Sequence, residues 1–230
     1  MPDDENLRPR LWPLFELRLA TERLVLAPVG DSDLDELSAL AQEGIHPPDS
    51  PPFSNLWTNR TGREFEVGFA QYFWAQRARW SEGSWTLPFA VRLGGRLIGV
   101  QQVESTDFAV LRTVSTGSWL GRSFQGGGLG TEMRSAVLSL AFDGLGAEVA
   151  ITGAYDYNAA SIRVSEKLGY DRNGVRRDNV RGGAAEAVLF RMTKEAWAER
   201  ARPRVWIDGL DACRELFGAA SAEQHLVGVG

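Results

Sequence analysis

Histidine, lysine and cysteine are scarce in this chain of 230 residues. Its histidines are His46 and His225, its lysines are Lys167 and Lys194, and its one cysteine is Cys213. A single cysteine cannot form an intrachain disulfide or a cysteine-based metal cluster. Two histidines give a zinc site or a Ser-His-Asp triad little to draw on. We therefore expect no metal.

Long hydrophobic runs and excess positive charge are also missing. No apolar run reaches the roughly 18 residues that a membrane helix needs, and the N-terminus, MPDDENLRPR, is polar and acidic rather than signal-like. The formal net charge is −5 at pH 7, whereas a sequence-independent nucleic-acid binder needs a basic surface. We expect a cytoplasmic protein with neither a membrane nor a nucleic acid as partner.

The pattern of apolar residues predicts an α/β fold. Residues 17–29 alternate as a first strand, and Gly94-Gly95 joins two further strands in a hairpin. Residues 113–120 and 148–155 are strands separated by a helix, which makes them parallel. Residues 187–192 belong to a last hairpin. We expect a mixed sheet of about six or seven strands with flanking helices.

The chain divides into three parts in this interpretation. Residues 1–15 form an N-terminal arm, residues 16–197 form one domain, and residues 198–230 form a C-terminal extension. The extension has enough apolar residues for a short helix that packs on the domain or on a second subunit, so a homodimer is one option. Its last residues read as a frayed end.

A glycine-rich segment, residues 124–133, follows one strand and opens onto a helix. The first N–H groups of a helix have no intrahelical partner, and glycines let an anion approach them, so we predict a phosphate site. The nucleoside-triphosphate loop needs a lysine that is missing here, and the dinucleotide fingerprint needs a glycine where Met133 stands. The pattern that remains is Q-x-x-G-x-G, with Gln125, Gly128 and Gly130.

This pattern resembles the coenzyme A pyrophosphate loop of the GNAT superfamily of N-acyltransferases. Residues 117–120, 158–161 and 166–170 resemble its RimJ/RimL-like branch, which contains the ribosomal-protein N-terminal acetyltransferases. The resemblance implies that the fourth and fifth strands, 113–120 and 148–155, splay apart and admit the pantetheine arm of acetyl-CoA or another acyl-CoA. It implies these CoA-binding residues: Ser118, Trp119, Leu120, Gln125, Gly126, Gly127, Gly128, Leu129, Gly130, Thr131, Asn158 and Ser161.

The same resemblance implies roles around the thioester. A backbone N–H near Ser118 or Trp119 would polarise the thioester carbonyl. Asn158 would orient the pantetheine arm, and Ser161 would stabilise the thiolate or protonate it. The ordinary alternatives are a core aromatic for Trp119, an N-cap for Asn158 and a first-turn serine for Ser161. Other candidates for the role of Ser161 are Tyr155, Tyr157 and Tyr170.

The general base departs from the family pattern. Relatives often carry glutamate two residues before the glycine of Gly117-Ser118-Trp119-Leu120, and this chain has Ser115 there. Glu104, Asp107 and Asp156 lie near predicted strand ends, where each is either a solvated turn residue or a substitute base acting directly or through water. The candidate catalytic residues are Ser161, Ser115 and Glu104.

Two aromatic residues, Phe53 and Trp57, lie in a proline-rich loop. Loops set on a rigid scaffold often carry specificity, so these residues are candidates for a wall of the substrate pocket. The alternative is a loop that is merely anchored to the core.

These inferences together predict an N-acyltransferase. It would move acetyl from acyl-CoA to a primary amine, in a small molecule or a peptide, by direct attack in a ternary complex. Succinyl is the alternative acyl group, and Arg112, Arg122 and Arg163 are candidate partners for its carboxylate. Because Ser115 replaces the family glutamate, a non-catalytic acyl-CoA-binding or regulatory module is the competing interpretation. A nucleotide-binding domain is a third.

Overall fold

The computed structural model describes residues 11–47, 52–53, 57–180 and 182–219. Most of the expected N-terminal arm, residues 1–10, and most of the expected frayed end, residues 219–230, lie outside these ranges. Its first residue, Ala219, is described and is buried. No helix within them is both long enough and apolar enough to span a membrane.

Within the described ranges, nine strands form a single sheet in the order β7-β8-β6-β5-β4-β3-β2-β1-β9. Neighbouring strands are antiparallel except for β5 and β6, which are parallel. The strands are β1 (Arg18–Ala20), β2 (Leu24–Pro28), β3 (Ser84–Leu93), β4 (Arg96–Thr106), β5 (Thr113–Leu120), β6 (Val149–Tyr155), β7 (Asp171–Val180), β8 (Gly183–Thr193) and β9 (Trp206–Asp208).

Helices cover both faces of this sheet. They are α1 (Leu34–Gln42), α2 (Gly62–Ala78), the one-turn α3 (Phe108–Leu111), α4 (Leu129–Ser139), α5 (Ala159–Leu168) and α6 (Lys194–Ala198). On one face, α1 and α2 pack in a cluster that includes Phe65, Phe69 and Phe73. On the other face, α4 packs in a larger cluster through Met133 and Val137. Successive side chains of a strand point to opposite faces of the sheet, so alternate residues of the strands contribute to the two cores.

The predicted α/β fold with a mixed sheet is confirmed, although the sheet has nine strands rather than six or seven. Residues 17–29 are two strands because the chain turns at Thr21, whose N–H donates to the Leu24 carbonyl over 2.9 Å. Leu19 and Leu24 are both buried, yet residues five apart cannot share a face of one continuous strand. This break in the alternation of buried residues marks the turn.

The predicted splay of the fourth and fifth strands is present between β5 and β6. Their parallel pairing covers only Thr113 with Val149, Val114 with Ala150, and Ser115 with Ile151. Beyond those pairs, β5 continues to Leu120 paired with β4 alone, while β6 continues to Tyr155 paired with β8. We call the space between residues 116–120 of β5 and residues 152–155 of β6 the gap.

Residues 198–219, the described part of the expected C-terminal extension, pack on the rest of the chain. β9 pairs with β1 at the sheet edge, and a 3-10 helix, Arg214–Phe217, packs against the larger core. The indole N–H groups of Trp80 and Trp85 donate to the carbonyls of Leu216 and Phe217 over 2.9 and 3.1 Å. β9 has only three residues, so its alternation of apolar and polar residues is too short to predict a strand from the sequence.

Phe217 tests this attachment. Its ring is fully buried and meets Trp80 and Trp85 edge-on, so Phe217→Ala should lower the free energy of unfolding by about 3–5 kcal/mol. Urea unfolding of the whole chain measures the change. The control is Val110→Ala at a position that is 80% exposed, which should stay within about 0.5 kcal/mol of the wild type. Equal stability of the two variants would contradict the packing.

Candidate active site

A cavity of about 700 Å³ opens where β5 and β6 separate. Residues 115–119 of β5 and 151–155 of β6 line it from the sheet, and β4, β7 and β8 contribute further wall. Its opposite wall is aromatic and comes from α2 and the loop before it. The aromatic residues of that wall are Phe53, Trp57, Phe65, Phe69, Tyr72 and Phe73.

The glycine loop at the end of β5 has the geometry of an anion site. Gly126 and Gly128 have φ values of 83° and 79°, in the left-handed region that favours glycine. Among the described residues, the N–H groups of residues 126–130 have no hydrogen-bond acceptor. A Cβ atom added at Gly126 or Gly127 would meet no heavy atom within 4 Å. These N–H groups precede or open the eleven-residue α4, so its dipole adds positive potential.

Side chains hold this loop in place. Gln125 donates from Nε2 to the carbonyls of Ile45 and Leu120, each over 2.9 Å, so the glutamine of the motif tethers the loop to the end of β5. Thr21 donates to Glu132 over 2.6 Å, and Arg23 pairs with the same carboxylate. No sequence pattern marked Thr21 or Arg23, because the turn between β1 and β2 contacts α4 only in the folded chain.

The backbone of Ser118 faces the gap. The carbonyls of Thr116 and Leu120 point away from β4, since they accept hydrogen bonds from the side chains of Thr152 and Gln125 over 3.0 and 2.9 Å. Backbone direction alternates along a strand, so Ser118 between them points the same way. The Trp119 carbonyl instead contacts β4 at Gly99. The sequence predicted that a backbone N–H near Ser118 or Trp119 would polarise the thioester carbonyl. Of these two N–H groups, that of Ser118 is directed into the gap.

Glu104 lies directly across from Ser115 in the register of β4 and β5. Directly opposed residues project to the same face of a sheet, and both line the cavity. The chain therefore has a carboxylate one strand away from the position where relatives often have glutamate. Asp107 and Asp156, the other predicted substitutes, lie beyond the ends of β4 and β6 and outside the cavity wall.

A hydrogen-bonded relay joins α2 to this carboxylate. Tyr72 donates its hydroxyl to the Gln102 amide oxygen, and the Gln102 amide N–H donates to Glu104 over 2.8 Å. Burial, together with the negative charge of Glu104, raises the pKa of Tyr72 to about 12. Tyr72 therefore stays a neutral donor at physiological pH, and the relay fixes the orientation of the Glu104 carboxylate.

A second carboxylate of the cavity wall was missed by the sequence analysis. Asp178 on β7 forms an ion pair with Arg176 over 2.9 Å and accepts a hydrogen bond from Tyr155 over 3.4 Å. The hydrogen bond from Arg176 lowers the pKa of Asp178. Asp178 is thus an already paired anion, which makes it a weaker candidate for a base than Glu104.

Phe53 and Trp57 line the cavity and also pack on the smaller core. The Trp57 ring lies 5.4 Å from Phe53, 5.9 Å from Phe69 and 6.2 Å from Trp119, measured between centroids. Phe53 and Trp57 are therefore anchored to the core, as one interpretation expected, and both line the cavity. Their role in a substrate pocket stays a prediction.

Asn158 and Ser161 stand at the start of α5. Asn158 is the N-cap, and its side-chain oxygen accepts the Ser161 N–H over 3.2 Å. The cavity wall includes the predicted residues Ser118 and Trp119 but not Leu120, the glycine loop, Asn158 or Ser161. Those groups lie towards the C-terminal end of β5 and the start of α5.

A mixed sheet with a splayed parallel pair and an anion-binding loop is the architecture of the acyltransferase class that the sequence resembles. The family model described as "Acetyltransferase (GNAT) domain" matches residues 23–171. The chain therefore belongs to the GNAT acetyltransferase family, as predicted.

Solved structures with similar folds include RimJ and RimL proteins. Mycobacterium smegmatis RimJ, in complex with CoA-disulfide, shares 20% identity at a TM-score of 0.64, over 86% of this chain and 91% of that one. The RimL ribosomal L7/L12 α-N-protein acetyltransferase, in complex with coenzyme A, shares 14% identity at a TM-score of 0.59, over 76% of this chain and 97% of that one. A spermidine N-acetyltransferase SpeG chimera from Vibrio cholerae and hSSAT shares 14% identity at a TM-score of 0.61, over 78% of this chain and 100% of that one.

The glycine loop can be tested at Gly128. A glutamate there would place a side chain and a negative charge where a phosphate must approach the backbone, so Gly128→Glu should weaken CoA binding by more than roughly 100-fold. Calorimetry measures the affinity. The matched control is Gly182→Glu in the turn between β7 and β8, where φ is 80° and backbone strain is equal. Unchanged CoA affinity in the Gly128 variant would contradict the assignment.

Proposed function

We propose that this protein is an N-acetyltransferase that transfers the acetyl group of acetyl-CoA to a primary amine. The observation that carries the proposal is Glu104, which lies opposite Ser115 in a cavity that opens from the gap. A general base must lie on the acceptor side of the thioester, and the pairing of Glu104 with Ser115 in the cavity wall supports this role for Glu104. The anion-binding loop at the end of β5 supplies the complementary site for the pyrophosphate of CoA.

Each step of acyl transfer has a candidate residue in this proposal. Glu104 takes one proton from the ammonium group of the acceptor, which leaves a lone pair on nitrogen for attack on the thioester carbonyl carbon. The Ser118 N–H stabilises the negative charge that develops on the carbonyl oxygen. When the C–S bond breaks, its electron pair stays on sulfur, the nitrogen loses its second proton, and the resulting thiolate takes up one proton, so that one proton is released overall. Ser161 is the proposed donor of a hydrogen bond to that thiolate.

The cavity supports a cationic amine as the acceptor. Aromatic faces attract ammonium groups, and the aromatic wall from α2 lies across the cavity from Glu104 and Asp178. The RimL neighbour is titled a ribosomal-protein α-N acetyltransferase and the SpeG chimera a spermidine N-acetyltransferase. A peptide amine and a small-molecule amine are therefore both within the proposed acceptor class.

The charges of the cavity wall favour acetyl over succinyl. Arg112, Arg122 and Arg163, the arginines considered from sequence, are not part of that wall, which instead contains Arg60 and Arg176. Arg176 is paired with Asp178 over 2.9 Å, and Arg60 lies 3.5 Å from Glu64. Glu104 would repel a donor carboxylate.

We therefore expect kcat/KM with acetyl-CoA to exceed that with succinyl-CoA by at least roughly 10-fold when the amine is the same. Release of free thiol measures both reactions. The control is the background hydrolysis of each thioester without the amine. A preference for the acidic donor would reverse the assignment of the acyl group.

A non-catalytic acyl-CoA-binding module is the competing function, since Ser115 replaces the family glutamate. Glu104 favours the enzyme, because its carboxylate lies beside that position and is oriented by the relay from Tyr72. Thiol release from acetyl-CoA with a panel of primary amines separates the two functions. A module of the competing kind would bind CoA and release no thiol.

Glu104→Gln tests the proposed base. It keeps the size of the side chain and removes the proton acceptor, so kcat should fall by roughly 100- to 10,000-fold. In the wild type the base takes the proton from bound ammonium, so the rate should depend little on pH, whereas the rate of the variant should rise with pH towards the pKa of the amine. Asp107→Asn is the control, because Asp107 lies outside the cavity with φ of 52°, which asparagine tolerates. Matching pH profiles for Glu104→Gln and the wild type would rule out this base.

A further inference from the structure

Arg134 of α4 is a buried charge without a carboxylate. Its side chain is 4% exposed, and no ion pair to it exists among the described residues. Nη1 donates to Ser165 over 3.0 Å and Nη2 to Ser118 over 3.5 Å, while the buried Nε has no partner in the described part of the chain. A guanidinium carries five N–H donors. Burying a guanidinium whose N–H donors are only partly hydrogen-bonded is unfavourable unless another interaction compensates its charge.

The position of this guanidinium is specific. Ser118 carries the backbone N–H that faces the gap, and its side chain contacts Arg134 on the α4 side of the sheet. Ser165 lies on α5 and donates in turn to the carbonyl of Ser161 over 3.2 Å. Arg134 therefore connects the two elements that the proposed reaction uses at the thioester, the middle of β5 and the first turn of α5.

The surroundings leave the positive charge uncompensated. The elements packed against Arg134 present Ser118 from β5, Ser165 from α5, and Tyr170 from the residues after α5. Burial raises the pKa of Tyr170 even though Arg134 opposes the shift, so the phenol stays neutral. Burial also lowers the pKa of Arg134, and an arginine still remains protonated at physiological pH. A net positive charge thus lies behind the gap.

We propose that Arg134 is a positioning residue for acyl transfer: it fixes Ser118 and the start of α5 around the reacting thioester and supplies a buried positive charge that the departing thiolate neutralises. The inference rests on the proposed function. A purely structural tie between β5 and α5 would be served equally by a neutral side chain, without the unfavourable burial of a charge. The charge becomes useful only when an anion forms in the gap, and fixed charges in a water-poor site act strongly on such an anion.

The test compares CoA with desulfo-CoA, which lacks the thiol. In the wild type, the ratio of their affinities should increase in favour of CoA by at least roughly 10-fold as pH rises from 6.5 to 9.5, because only CoA forms a thiolate. Arg134→Met removes the charge at similar length and should flatten this dependence, with equal affinity for desulfo-CoA. Its kcat should fall by roughly 10- to 100-fold. Arg204→Met, at an exposed position of the C-terminal segment, is the control.

The outcomes separate this inference from the proposed function. A wild-type affinity ratio that does not change with pH overturns the inference even if Arg134→Met fails to fold. An Arg134→Met protein that keeps both the ratio and kcat overturns it as well. Arg134→Lys keeps a charge and should retain most of the pH dependence, and a lysine variant as flat as the methionine variant would contradict a role for charge. Absence of acyl transfer by the wild type would instead refute the proposed function.

Discussion

The structure depends on one interruption of regular pairing. β5 and β6 are hydrogen-bonded through Ser115 and Ile151 and then separate, although both strands continue. A strand edge left open in the interior needs other partners for its backbone groups. Side chains supply some of them, since Thr152 donates to the Thr116 carbonyl and Gln125 to the Leu120 carbonyl. What stays open between those two points is the backbone of Ser118, which is the part of the edge that a ligand amide or thioester can use.

The same interruption explains why the aromatic residues of α2 matter to the site. Aromatic residues of α2 line the cavity that opens where β5 and β6 separate. Phe65 and Phe69 are buried in the smaller core, and Tyr72 donates to Gln102 at the cavity wall. Helix packing and orientation of the Glu104 carboxylate are therefore coupled through one side chain on α2.

Features that depend on a few neighbouring residues could be predicted from the sequence. The glycine loop and the hairpin at Gly94-Gly95 depend on backbone conformations confined to a few residues, and the parallel pair follows from its connecting helix. The pairing of strands that lie far apart in the chain could not be predicted in this way. The placement of Glu104 opposite Ser115 requires the register of two strands, and β9 has only three residues to signal it. Arg134 carried no signal, because in sequence it is one more arginine on a helix.

Strand parity keeps the two charges of the site apart. Ser115 and Ser118 are three residues apart on β5, so their side chains project to opposite faces. Glu104 shares the face of Ser115 at the cavity, whereas Arg134 meets Ser118 on the α4 face. Had both charges lain on one face, they would have formed an ion pair that stabilised the ionised carboxylate and neutralised the guanidinium. Separation by the thickness of the sheet leaves the carboxylate free to accept a proton and the cation free to attract an anion, as the proposed transfer of an acyl group from a thiol to an amine requires.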